Sequence, residues 1–253
     1  MDAPRMRTLG LLGGMSWEST IPYYRILNRC VRDRLGGHHS APLLLSSVDF
    51  APIQAMQAVS DWDGAAQLLG GKAWSLANAG AEALLLCTNT MHCVAEQIEQ
   101  ISGLPLLHIA DCTASAIKRA GLERIGLLGT RYTMELDFYA ERLRRRHGIE
   151  VLVPEASDRE LVHRVIFDEL CQGQILASSR LSYLRIIQAM VADGAEGVLF
   201  GCTEIGLLLD PEEISVPTFD SASLHARAGA DFILGPLQPE LPLPEPLPLA
   251  ANQ

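Results

Sequence analysis

The chain repeats itself. Gly10-Leu11-Leu12-Gly13 returns as Gly126-Leu127-Leu128-Gly129, each time within a short apolar run. Gly80-Ala81-Glu82, followed by ALLLCTNTMH, returns as Gly194-Ala195-Glu196, followed by GVLFGCTEIG. The offsets are 116 and 114 residues, so both matches share nearly one register. A tetrapeptide of Gly and Leu alone would be weak grounds for a repeat; two ordered matches at nearly equal offset are much stronger. A chain of 253 residues has room for two such units.

Each unit alternates strand-length apolar runs with helix-length patterns. Thr8–Leu12, Leu43–Val48, Ala83–Cys87, Arg124–Leu128, Glu150–Val153 and Gly197–Phe200 have strand length. Between them, Ser157-x-x-Glu160 is a capping-box signature before LVHRVIFDELCQG, and Thr133 is placed to cap MELDFYAERLRRRHG. Such alternation predicts an α/β fold of two pseudosymmetric halves with mostly parallel sheets. We assign residues 5–112 to the first half and 113–215 to the second, with 219–234 a last helix returning to the first. Residues 235–253 carry a Pro every two or three positions and read as an extended, flexible tail.

Composition removes several classes of function. A net charge of −10 argues against a nucleic-acid partner. No stretch of about twenty apolar residues is present to span a bilayer, and no targeting signal is evident. Six Cys without a C-x-x-C pair read as free thiols in a reducing cytosol, so a cytoplasmic protein is expected. His108-x-x-Asp111 has no third ligand, so no metal is expected. No G-x-G-x-x-G or P-loop motif supports nucleotide binding. His38-His39 and Arg144–Arg146 read as solvated turn and helix-end residues.

Superposing the two halves makes Thr88 and Cys202 equivalent, each at the C-terminal end of a strand. Ligands of open α/β sheets bind outside those ends. Two halves facing one another would bring Thr88 and Cys202 to one ligand from opposite sides. That arrangement suits inversion at a tetrahedral carbon.

LGLLGGMSWESTIPYYRILN, LLLCTNTMHCVAEQIE and VLFGCTEIGLLL closely resemble the cofactor-independent aspartate/glutamate racemase superfamily. The similarity runs from about Arg7 to Leu234. The superfamily usually has a catalytic Cys in each half; Cys202 matches the second, while the first position holds Thr88, with Cys87 one residue earlier. That unequal pair resembles the L-aspartate/glutamate-specific amino-acid racemases. The resemblance implies conversion of L-glutamate and L-aspartate to the D forms without pyridoxal phosphate or other cofactor, in a homodimer. Neither Lys72 nor Lys118 lies in a motif that would carry pyridoxal phosphate.

Removing an α-proton without pyridoxal phosphate demands a reactive base. A thiol, with a reference pKa of about 8.5, can be brought into range; a Thr hydroxyl cannot without help. Cys202 is therefore the candidate base, with Thr88 delivering a proton on the opposite face, directly or through water. Slow return from the D side is the corresponding expectation. Cys87 alternates away from Thr88 and reads as core, as do the other Cys.

Asn89 and Thr90 open a helix and are placed to receive a carboxylate. Thr203 and Glu204 hold the corresponding place in the second half; Glu204 either binds the substrate ammonium or sits in solvent. Gly13-Gly14-Met15-Ser16 serves ligand approach or a tight turn equally well, with Ser16 as cap. By resemblance, substrate contacts fall at Met15, Gln57 and Glu169. At Glu169 many relatives carry a basic residue, and an acid there puts the usual contact with a side-chain carboxylate in question. His92 either tunes Thr88 or is a buried helical His. Two rivals stay open: another superfamily reaction on a small carboxylate or hydantoin, and a catalytically decayed sensor of acidic ligands.

Overall fold

The computed structural model describes residues 5–235; the proline-rich stretch from Pro236 lies outside them. β1 (Leu9–Gly13) is buried along its whole length, which a parallel strand covered on both faces requires. α1 (Trp17–Leu35) follows, and β2 (Leu43–Ser47) pairs parallel to β1 on one side. α2 (Phe50–Ala58) and α3 (Trp62–Asn78) lead to β3 (Ala83–Leu86), parallel to β1 on the other side. A 3-10 turn, Thr90–Val94, runs into α4 (Ala95–Ser102), and α5 (Ile109–Arg119) passes to the second half.

There β4 (Arg124–Gly129) is followed by α6 (Arg131–Glu135), α7 (Asp137–His147), β5 (Glu150–Leu152), α8 (Ala156–Asp168) and α9 (Ala177–Ala192). β6 (Gly197–Gly201), α10 (Ile205–Leu208), β7 (Thr218–Asp220) and α11 (Ser221–Leu234) complete the described chain. The sheets run β2-β1-β3 and β5-β4-β6-β7, all parallel.

The sheet registers repeat as the sequence does. Leu12 pairs with Leu86 in the first sheet and Leu128 with Phe200 in the second. Even the fourth strand has a counterpart, because Leu84 forms a parallel bridge to Leu106 where Val198 pairs with Thr218. α11 lays Ala222, Ala226 and Ala230 against Leu9, Leu11, Tyr23 and Leu27, so small residues let it approach β1 and α1 closely. Cys87 is buried in that same cluster, facing away from Thr88's cavity.

Local structure departs from the expected caps at three places. α8 begins at Ala156, with Ser157 inside its first turn and Glu155 at the cap. Arg159 fixes this start: its N–H bonds the Glu155 carbonyl, and its guanidinium holds the Pro154 carbonyl and the Glu135 carboxylate. Thr130, not Thr133, is the capping side chain, accepting the Thr133 N–H at 3.2 Å, and extended Leu136 separates α6 from α7. Ser16 does occupy the cap position of α1, yet its hydroxyl bonds elsewhere. Gly13 and Gly14 form a tight turn: a Cβ on Gly13 would lie 2.5 Å from Thr20 Cγ2, and Gly14, at φ +93°, would set one 2.2 Å from the Val48 carbonyl oxygen.

Among the described residues no helix is long and apolar enough to cross a membrane.

Candidate active site

The C-terminal ends of β3 and β6 face one narrow cleft between the two sheets. Thr88 lines it from the first half and Cys202 from the second, both nearly buried at 8% and 7% exposure. The loops after β3 and β6 carry the polar residues; α2 and α8 contribute Phe50 and Phe167, which stack 6.3 Å apart. Because both rings are only half-buried, they stand between the cavity and solvent.

On the first side, the Thr88 backbone is pinned. Its carbonyl accepts a hydrogen bond from His92 Nδ1 at 2.8 Å, while His92 Nε2 accepts the Ile109 N–H at 3.2 Å. These bonds assign the neutral tautomer with its proton on Nδ1. Burial, with His108 and His225 as neighbours, holds the His92 pKa well below the usual range. His92 thus holds the Thr88 main chain and leaves the hydroxyl free to face the cavity. Asn89 Nδ2 donates to Ser221 Oγ at 3.0 Å, and Ser221 donates to the Phe200 carbonyl at 2.7 Å, tying the β3 loop to β6. Thr90 Oγ1 shares a hydrogen bond with Thr130 Oγ1 across the cleft at 2.9 Å.

On the second side, everything converges on Glu204. This carboxylate is 3% exposed, so the solvated alternative for it is excluded. Cys202 Sγ donates to Oε2 at 3.0 Å and Thr203 Oγ1 to the same oxygen at 2.5 Å. Ser16 Oγ donates to Oε1 at 2.8 Å, and Cys171 Sγ approaches it at 3.7 Å. Burial pushes the Cys202 thiol well above its ordinary pKa, and the Glu204 charge raises it further. The resting sulfur is therefore a protonated thiol whose hydrogen already points at a carboxylate. The position equivalent to Glu204 in the first half is Thr90, so the two walls differ twice: Thr against Cys, and Thr against Glu.

The cleft collects Met15, Gln57, Thr88, Asn89, Thr90, Cys202, Thr203 and Glu204. Glu169 is outside that lining; its Oε2 accepts from Ser179 Oγ at 2.5 Å. Sequence reasoning missed Phe50, Thr130, Ile166, Phe167 and Cys171 as lining residues, and Ser16 as a partner of Glu204. Thr130 follows Gly126–Gly129 as Gly14 follows Gly10–Gly13, so the repeat itself carried that signal. Buried Gln57 Oε1 and Asn89 Oδ1 have no hydrogen-bond partner.

His108 and Asp111 are structural. His108 Nδ1 accepts the Ala110 N–H at the start of α5. Asp111 is gripped by Arg142 at 2.8 and 2.6 Å and by His147 at 2.8 Å, and these bonds bring its pKa down to about 2 against the opposing effect of burial. Among the described residues no cluster of three or more His, Cys, Asp or Glu is arranged to hold a metal ion.

Comparison with known proteins gives consistent results. The family model for Asp/Glu/Hydantoin racemase matches residues 12–229. A Yersinia pestis protein provisionally described as an Asp/Glu racemase has a crystal structure 56% identical in sequence, with a TM-score of 0.85, covering 91% of this chain and 100% of that one. The structure of PH1733, an aspartate racemase homologue from Pyrococcus horikoshii OT3, is 33% identical with a TM-score of 0.75, over 88% and 97% of the two chains. The broad specificity amino-acid racemase RacX of Bacillus subtilis (strain 168) is 22% identical over 231 residues, 87% of this chain and 95% of that protein.

Proposed function

The chain belongs to the Asp/Glu/Hydantoin racemase family, and on that footing we propose that it is a cofactor-independent amino-acid racemase using Cys202 and Thr88 on opposite faces of the substrate's α-carbon. The observation that carries this reading is the Cys202 thiol hydrogen-bonded to a buried carboxylate on one wall of a cavity whose other wall presents Thr88.

Glu204 Oε2 takes the thiol proton, and the thiolate then removes the α-proton of the bound L-amino acid. Reprotonation comes from the Thr88 side, through its hydroxyl or a water held there. Thr90 and Thr130 offer hydroxyl donors for the α-carboxylate, whose charge grows as the carbanion delocalises into it. Met15, at the end of the β1 loop, and Thr203 flank the reacting carbon. Glu169, expected to contact substrate, lies outside the cavity lining and bonds Ser179 instead, so it has no part in this scheme. A homodimer, implied by resemblance, is part of the proposal and is tested by sedimentation. Glutamate and aspartate are the substrates that the family resemblance implies, while the reaction itself requires only an α-amino acid.

Incubation in D2O without added cofactor, following α-deuterium and optical rotation together, tests the reading. We expect exchange with inversion, abolished by Cys202→Ala. Full activity in that variant would remove Cys202 as the base.

A further inference from the structure

Resting on the racemase reading above, we propose that the side chain this site accepts is uncharged and apolar, and that dicarboxylic amino acids are disfavoured. The charges lining the cavity carry this inference. Among the described residues, Glu204 is the only ionisable acid or base in the lining besides the thiols, and no Lys or Arg lines the cavity. Lys72 and Lys118 are both exposed, on α3 and α5, away from the cleft. Arg131 and Arg164 border a separate surface groove on the far side of Phe167, and Arg131 is engaged there by Glu160 at 3.4 Å.

Besides the free Thr88 hydroxyl, two uncommitted side-chain atoms at the cavity are acceptors. Gln57 Oε1 and Asn89 Oδ1 are buried without partners, and their amide nitrogens are occupied by Met91 Sδ at 3.0 Å and Ser221 Oγ at 3.0 Å. Two unpaired carbonyl oxygens beside a carboxylate suit an ammonium group. They give nothing to a second carboxylate. A glutamate or aspartate side chain would therefore enter a desolvated space next to Glu204 with no counter-charge to compensate it.

The remaining wall is apolar. Phe50 and Phe167 stack at the mouth, and Ile166 lies beside them. A hydrocarbon or thioether side chain laid against these groups leaves no polar atom unsatisfied. Glu169 lies outside the lining, where its carboxylate is held by Ser179.

The test uses the full-length protein in D2O with L-methionine, L-leucine, L-glutamate, L-aspartate and L-lysine separately, reading initial rates of α-deuterium incorporation with inversion. We expect kcat/KM for methionine or leucine to exceed that for glutamate and aspartate by at least about tenfold. Glutamate, aspartate or lysine turning over as well or better overturns the side-chain assignment while leaving the racemase reading intact. Exchange with none of the five overturns the side-chain assignment, and the racemase reading then stands or falls on the same assay with the remaining amino acids. In the variant Phe167→Arg, confirmed folded by circular dichroism, a guanidinium placed at the mouth should raise the glutamate-to-methionine ratio about tenfold. An unchanged ratio removes Phe167 from the side-chain wall.

Discussion

Glu204 is the residue around which the second wall is organised. A carboxylate that is buried without a basic partner is costly unless its oxygens accept hydrogen bonds. Here Ser16, Thr203, Cys171 and Cys202 donate to it from three separate segments of the chain. Thr203 and Cys202 share one oxygen, so removing the thiol hydrogen leaves that oxygen still bonded and ready to hold a proton. Replacement by the isosteric amide separates this chemical part from packing. Glu204→Gln should keep the fold but lower kcat by about 100-fold, and shift the limb of the rate profile that reports the Cys202 thiol to lower pH, because the charge that raised the thiol is gone. That limb is the more telling readout, since a Gln can accept the thiol's hydrogen bond but not its proton. Unaltered kcat would show that another group accepts it. The positions of Cys202 and Glu204 at the cleft were legible because they lie in a motif at a repeated strand end, but the hydrogen bond between them was not, and Glu204 was left open between an ammonium contact and solvent. Ser16 was not: local spacing marks it as a helix cap, and only tertiary folding, across 188 residues of sequence, turns it towards Glu204.

Elements place these groups, and β3 does so with unusual dependence on histidine. His92, on the turn after β3, His108 at the start of α5, and His225 on α11 bring their rings together, the centroids of His92 lying 4.7 and 5.5 Å from the other two. His225 Nε2 donates to the Leu107 carbonyl at 2.6 Å and its Nδ1 accepts from Tyr23 Oη at 2.9 Å, so it too is neutral. Burial lowers the pKa of His108 to about 3 and of His225 to about 4. Since the unfolded chain binds protons first, the contribution of these rings is present above about pH 6.5 and is lost as pH falls towards 4. Thermal unfolding should show Tm nearly constant from pH 8 to 7 and lower by roughly 10 °C at pH 5. A flat profile through that window would mean the rings charge without penalty.

At the same scale, the strands were more legible than the helix ends. Six apolar runs became six strands to within a residue or two; in β1, β3, β4 and β6 near-continuous burial on both faces leaves a simple signature, while β2 and β5 are edge strands with exposed positions. β7 was missed: it is three residues long and follows Pro217, and it exists through pairing with β6. The expected caps at Ser157 and Thr133 failed because long-range bonds from Arg159 and a hydroxyl cluster around Thr130 decided where the helices start. The aromatic mouth was illegible for a related reason, since nothing local connects Phe50 on α2 with Phe167 on α8.

In the whole molecule, two similar units have diverged where they meet. One supplies Cys202 with Glu204; the other supplies Thr88 with Thr90 in the equivalent places. The walls are therefore unequal in acid–base strength, which favours slow protonation or deprotonation on the Thr88 face. Thermodynamics limits what that inequality can do. Enantiomers have the same free energy in achiral solution, so the equilibrium constant of a racemisation is one, and kcat/KM must be identical in the two directions. A lower kcat from the D side must therefore be matched by a proportionally lower KM. Full progress curves from each pure enantiomer should show this compensation, with both ending at the racemate. Unequal walls do not make a one-way enzyme; they make one that is held longer by its own product.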